Sequence, residues 1–182
     1  MNRVLLIVLV VLCLSANSLA QGKYTVQKSD MSFTSNAELE LIKASSSETQ
    51  GIIDPATNQF AFSVPVTSFK GFNSDLQRQH FNENYMESSK YPKASFTGKI
   101  IEQVNYTRDS VYTIRAKGEL DIHGQKQTRI IKAKLTIKKN ELQIDADFNV
   151  PLADHNISIP RIVSQKIATE IDLKFRATLV AH

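Results

Sequence analysis

The second half of the chain alternates apolar and polar side chains with a period of two, and only a strand with one dry and one wet face gives that period. Tyr112, Ile114, Ala116, Gly118 and Leu120 fall on one face, with Thr113, Arg115, Lys117 and Glu119 on the other. Ile131, Ala133, Leu135 and Ile137 repeat the pattern against Lys132, Lys134, Thr136 and Lys138. Leu142, Ile144, Ala146, Phe148 and Val150 oppose Glu141, Gln143, Asp145, Asp147 and Asn149, and Ile171, Leu173, Phe175, Ala177 and Leu179 oppose Asp172, Lys174, Arg176 and Thr178. His123-Gly124 and Lys139-Asn140 interrupt the runs and suit tight turns, so sequential antiparallel pairing is expected.

The first half is less regular. Tyr24–Lys28, Met31–Ala37, Leu39–Ala44, Gln59–Val64 and Ala94–Ile101 read as strands, with a turn at Asp54-Pro55 and Asn58. Between them Ser74 and Gln77 resemble a capping box, and Phe72, Leu76 and His80 fall four residues apart, as do Phe81 and Tyr85. One or two short helices are therefore predicted over Ser74–Ser88, ending before Tyr91-Pro92. About eight antiparallel strands with one helical insertion predict an all-β, closed barrel, which removes exposed sheet edges.

The inward set mixes large residues with very small ones: Gly98, Ala116, Gly118, Ala133, Ala146 and Ala177. Small residues leave space that neighbouring side chains fill or that forms a ligand cavity. The residues expected to line a cavity are Phe60, Phe62, Leu76, Phe81, Phe96, Ile100, Tyr112, Ile114, Leu120, Ile131, Leu135, Ile144, Phe148, Leu173 and Phe175. Leu76, Phe81, Tyr85 and Met86 on the short helices either cover one mouth or complete the core.

At the start, Arg3, the apolar run Val4 to Leu14 and Ser18-Leu19-Ala20 follow an export-leader pattern, so residues 1–20 are read as a signal peptide and 21–182 as the folded domain. Cleavage near Ala20 fits better than a lipid anchor on Cys13, which Leu12 precedes, and it removes the only cysteine. A periplasmic or secreted location follows. The chain carries 22 Lys and Arg against 18 Asp and Glu, and loss of Arg3 leaves a charge of +3, too mild and scattered to predict nucleic-acid binding.

No sequence pattern demands catalysis. The histidines, His80, His123, His155 and His182, lack the spacing of a helical metal pair, although His123 and His155 have the freedom to meet across loops. Nucleophile elbows, Walker loops and dinucleotide fingerprints are absent from the sequence. Asp145 and Asp147 suit the wet side of a strand, and the sequons at Asn105 and Asn156 are short enough to arise by chance. A non-enzymatic protein without metal or cofactor is expected.

Three segments together resemble the YceI-like lipid and polyisoprenoid-binding family over roughly Lys23 to Leu179. The first is Phe72, Leu76, Phe81 and then Lys90-Tyr91-Pro92-Lys93-Ala94-Ser95-Phe96; the second is Gly118-Glu119-Leu120-Asp121-Ile122-His123-Gly124; the third is Leu152-Ala153-Asp154 with Ile157 and Pro160. The resemblance implies a lipocalin-like barrel holding a long isoprenoid chain, such as a quinone or polyprenol, usually in the periplasm. Two other readings compete: a small outer-membrane barrel, opposed by the absent tryptophan, Gly98 and Gly118 and the helical stretch, and a packed interaction module without a cavity. A homodimer would suit either soluble reading.

Overall fold

The computed structural model describes residues 22–182, so the expected leader and Cys13 lie outside the described residues. Nine strands follow in order: β1 (Tyr24–Asn36), β2 (Leu41–Ser46), β3 (Gln50–Asp54), β4 (Gln59–Pro65), β5 (Lys93–Ile100), β6 (Ser110–Ile122), β7 (Gln125–Lys138), β8 (Glu141–Pro151) and β9 (Glu170–Ala181). From β3 to β9 each strand pairs antiparallel with the next, and β9 returns to β1 from Tyr24↔Ala181 to Thr34↔Asp172. The sheet therefore closes.

Along its other edge β1 meets β3 at its start, Tyr24↔Ile53, and β2 at its end, Met31↔Ser46. β2 and β3 thus act as one stave broken at Ser47–Thr49, and the whole is the expected eight-stave antiparallel, lipocalin-like barrel. A buried serine network stitches the break. The Ser29 hydroxyl donates to the Ser47 carbonyl at 3.1 Å and accepts from the Thr49 N–H at 3.2 Å, while Ser46 and Ser68 hydroxyls stand 2.6 Å apart.

The structure differs from the sequence reading in the first half. Tyr24–Lys28 and Met31–Ala37 are one strand, because the register against β9 shifts between Val26 and Lys28 and a bulge there moves the alternation to the other face. β3, five residues long with Gly51 inside it, carries too short a pattern to be read as a strand. In the second half β6 to β9 run as the alternation predicts, joined by His123-Gly124 and Lys139-Asn140, all four with positive φ. These are the left-handed pairs that let a two-residue hairpin follow the strand twist.

The predicted helical stretch is one short α-helix, α1 (Asp75–His80), running into a π turn at Phe81–Tyr85. Ser74 caps it by accepting the Gln77 N–H at 3.1 Å, and Gln77 Oε1 accepts the Asn73 N–H at 3.0 Å. The two ends of the barrel differ. Short connections at 55–58, 101–109 and 139–140 lie at one end, the floor; the excursions 66–92 and 152–169 lie at the other, the mouth. Between them the outer wall presents exposed Lys132, Lys134, Asp145, Asp147 and Lys174, the reverse of a lipid-facing barrel, so the outer-membrane reading does not fit.

Candidate functional site

The barrel encloses a cavity of about 530 Å³ that descends from the mouth to Ile53, Ile100, Ile114 and Ile144. Two aromatic groups shape it. Deep inside, Phe60 lies 4.9 Å from Phe96 and Phe62 lies 5.4 Å from Phe175, ring centre to ring centre. Nearer the mouth Phe33 stacks on Phe81 at 5.3 Å, with Phe69 at 5.4 Å and Phe72 at 5.9 Å from the same ring.

Strand periodicity places the deep group: Phe60 and Phe62 share the inward face of β4, and Phe62 stands opposite Phe96 on β5. The glycines permit this packing. A Cβ on Gly51 would enter the Phe62 ring, and one on Gly98 would strike the Lys117 carbonyl and the Cα of Gly118, its cross-strand partner. Gly98 and Gly118 therefore serve a close approach of β5 and β6 and are not among the lining residues, whereas Ala116, Ala133 and Ala146 do leave room over the cavity. Ala177 lies outside the lining.

The structure brings Phe60, Phe62, Leu76, Phe81, Phe96, Ile100, Ile114, Leu120, Ile131, Ile144, Phe148, Leu173 and Phe175 to one cavity wall. Tyr112 and Leu135 lie outside it. They face each other across β6 and β7 below the cavity, where these long strands continue past its end; Leu135 is wholly buried in the same core cluster as Leu142 and Leu179. The Tyr112 hydroxyl accepts the Asn105 N–H at 3.2 Å.

Tyr106 helps close the floor. Its ring centre lies 6.1 Å from that of Tyr24, and its hydroxyl donates to Asn58 Oδ1 at 2.9 Å. Burial, with smaller contributions from Tyr24 and Asp54, pushes its phenol up to about 12. Sequence reading passed over Tyr106, because it sits inside a sequon in an irregular loop; an isolated large aromatic there is the one signal. It also missed Met31, Phe33, Phe69, Val163 and Ile167 as lining residues.

Four ionisable side chains reach the cavity: Glu40, His80, Tyr85 and Lys166, all from the segments around the mouth. Burial raises the Tyr85 phenol above its usual range. Gln77 Nε2 donates to Glu40 at 2.9 Å, tying α1 to the β1–β2 loop. Below these groups the lining is apolar apart from uncharged hydroxyls such as Thr49, Ser63 and Ser95. Such a wall can shelter an apolar chain and leave a polar end at the mouth.

Of the motif residues, Leu76, Phe81, Phe96 and Leu120 line the cavity, while others build the frame of its mouth. The Tyr91 and His123 rings meet edge to face at 4.8 Å over Gly124, where any Cβ would enter the Tyr91 ring. His123 Nδ1 donates to the His155 carbonyl at 3.0 Å, and Nε2 lies 2.9 Å from Glu87. Wholly buried, His155 donates from Nδ1 to the carbonyls of Ile122 at 3.2 Å and Gln125 at 3.0 Å. The two histidines do meet, as structural clasps that join the β6–β7 turn to both long excursions.

A family model, the YceI-like domain, matches residues 22–179. Among solved structures, the chain is similar to a polyisoprenoid-binding domain from Saccharophagus degradans implicated in plant cell wall breakdown, with TM-score 0.72 and 14% identity over 87% of this chain and 98% of that one. Burkholderia cenocepacia BcnA gives 0.67 and 17% over 82% and 95%, and a Campylobacter jejuni YCEI protein 0.56 and 15% over 74% and 82%. At these identities the structural likeness is one of fold. No curated protein sequence matches the chain.

Proposed function

Because this chain belongs to the YceI-like domain family, we propose that it is an exported, non-enzymatic carrier that holds a long apolar lipid of the isoprenoid class, a quinone or polyprenol, inside its barrel. The carrying observation is a cavity of about 530 Å³ whose ionisable lining is confined to the mouth. That volume falls within the roughly 300–1,000 Å³ of small-molecule sites. Each sheltered methylene contributes about 0.8 kcal/mol before association costs, so a long tail needs no charged partner in the interior.

The similar Saccharophagus degradans domain is a polyisoprenoid-binding one, which supports the ligand class. The leader pattern over residues 1–20 supports a periplasmic or secreted site. A packed interaction module would fill its interior with side chains, and the open volume weighs against it.

The test is mass spectrometry of an organic extract of the exported protein purified without detergent, beside the variant Ala146→Phe. Ala146 faces the cavity opposite Phe175, so the new ring would occupy cargo space. The expected result is about one isoprenoid lipid per chain, falling at least about tenfold in the variant. A clean native extract, with no shift in melting temperature when a polyprenol or quinone is added, would overturn the carrier reading.

A further inference from the structure

The described residues include seven large apolar side chains that stand well exposed, and four of them gather at the mouth: Leu39 at 63%, Leu41 at 48%, Leu76 at 59% and Ile162 at 92%. They come from three segments joined into one rim. The Leu39 N–H donates to the Gln165 carbonyl at 2.8 Å, and Asn73 Nδ2 donates to the Leu41 carbonyl at 3.1 Å, beside α1 and Leu76. The other three, Ile101, Val111 and Ile130, lie away from the mouth on the floor loop and the outer wall.

Exposed cations share the rim. Arg78, Arg161 and Lys166 make no ion pair among the described residues, whereas Arg115, Arg129 and Arg176 each face a carboxylate within 3.5 Å. Residues 156–169 carry Arg161 and Lys166 and no acidic side chain, and Ile162 projects between these cations in sequence. The acids of the mouth segments are Glu38, Glu40, Asp75, Glu83 and Glu87, on the other two segments, and Asp154; Glu40 is held by Gln77, Glu83 by Gln79, Glu87 by His123 and Asp154 by Arg129.

We propose that the mouth rim docks on a lipid bilayer, with Ile162, Leu39 and Leu76 entering the interface and Arg161, Lys166 and Arg78 meeting anionic headgroups. An apolar side chain flanked by cations is the arrangement that binds an anionic interface by burial and attraction together. Leu76, Val163 and Lys166 also line the cavity, so the docked surface is continuous with its wall. A long tail would then pass from bilayer to barrel without crossing water. The proposal concerns the surface and not the cargo, so it stands apart from the carrier reading: vesicle binding tests the one and extracted lipid the other.

The experiment is flotation of the purified protein with vesicles of phosphatidylcholine alone or mixed with phosphatidylglycerol, for the native chain and for Ile162→Asp, Ile130→Asp and the double variant Arg161→Gln with Lys166→Gln. Ile130, 55% exposed on the outer wall, serves as the control. Native protein is expected to float with the anionic vesicles and to lose binding at high salt. Ile162→Asp should weaken that binding by about tenfold or more, and each neutralised cation by about fivefold on anionic vesicles. Ile130→Asp should change nothing. Absence of native binding, or equal losses in Ile162→Asp and Ile130→Asp, would overturn the proposal; so would a native dimer, seen by sedimentation, that Ile162→Asp dissolves while vesicle binding is unchanged.

Discussion

The floor and the mouth of the barrel are built from the same staves and use their aromatic residues differently. At the floor, Leu135, Leu142 and Leu179 are wholly shielded, and Tyr106 is locked by a hydrogen bond to Asn58. At the mouth, Phe33, Phe72 and Phe81 are only half-buried, held by ring contacts and by loop-to-loop hydrogen bonds. A buried hydrogen bond holds the floor's aromatic ring in one geometry, whereas the half-exposed phenyl rings at the mouth have no polar partner of their own. The contrast teaches where the shielding resides: the closed end is packed and hydrogen-bonded shut, and the open end leaves these rings half-exposed around the cavity.

The largest effect expected is at the floor. Leu142→Ala should cost about 3 to 4 kcal/mol in chemical denaturation, since its neighbours belong to a closed ring of strands and cannot collapse into the gap. Tyr106→Phe follows, at about 1 to 3 kcal/mol, because it leaves the Asn58 carbonyl without its buried donor. The same variant tests a pH dependence. The Tyr106 phenol titrates near 12 in the fold against an ordinary value of 10.0, so folding favours the protonated form; that contribution is whole below pH 10 and is lost as pH rises toward 12. Native stability should therefore fall by roughly 2 to 3 kcal/mol more than that of Tyr106→Phe across this window, read from denaturation midpoints at each pH. Smallest is Leu76→Ala at the mouth, within about 0.5 kcal/mol of native. A loss there equal to that of Leu142→Ala would erase the distinction between the two ends.

What could be read from sequence follows the same division. The staves β6 to β9 were legible because each is long enough to repeat its period several times, and Phe60, Phe62 and Phe96 followed from shorter runs of the same kind. The bulge near Gln27 and the break at Ser47–Thr49 were not, since the first shifts the alternation to the other face within one strand and the second is bridged by Ser29, which lies far along the chain from Ser47 and Thr49. The mouth was legible only in part. Ser74 and Gln77 announced α1, but Val163 and Ile167 reach the cavity from a loop without periodicity. Motif residues such as Tyr91 and His123 stood out in sequence, yet they brace the opening from outside the lining.

One detail of the floor bears on how the molecule can be handled. The His182 N–H donates to the Lys23 carbonyl at 3.0 Å, so the two ends of the described chain lie side by side at the pole opposite the mouth. A fluorophore, affinity handle or surface linker attached at either end would leave the opening unobstructed. An immobilised array would present every mouth in the same direction. The same adjacency makes circular permutation practicable: a short linker could join residue 182 to residue 22, with new ends cut at His123-Gly124, which would free the rim from its clasp while leaving the floor continuous.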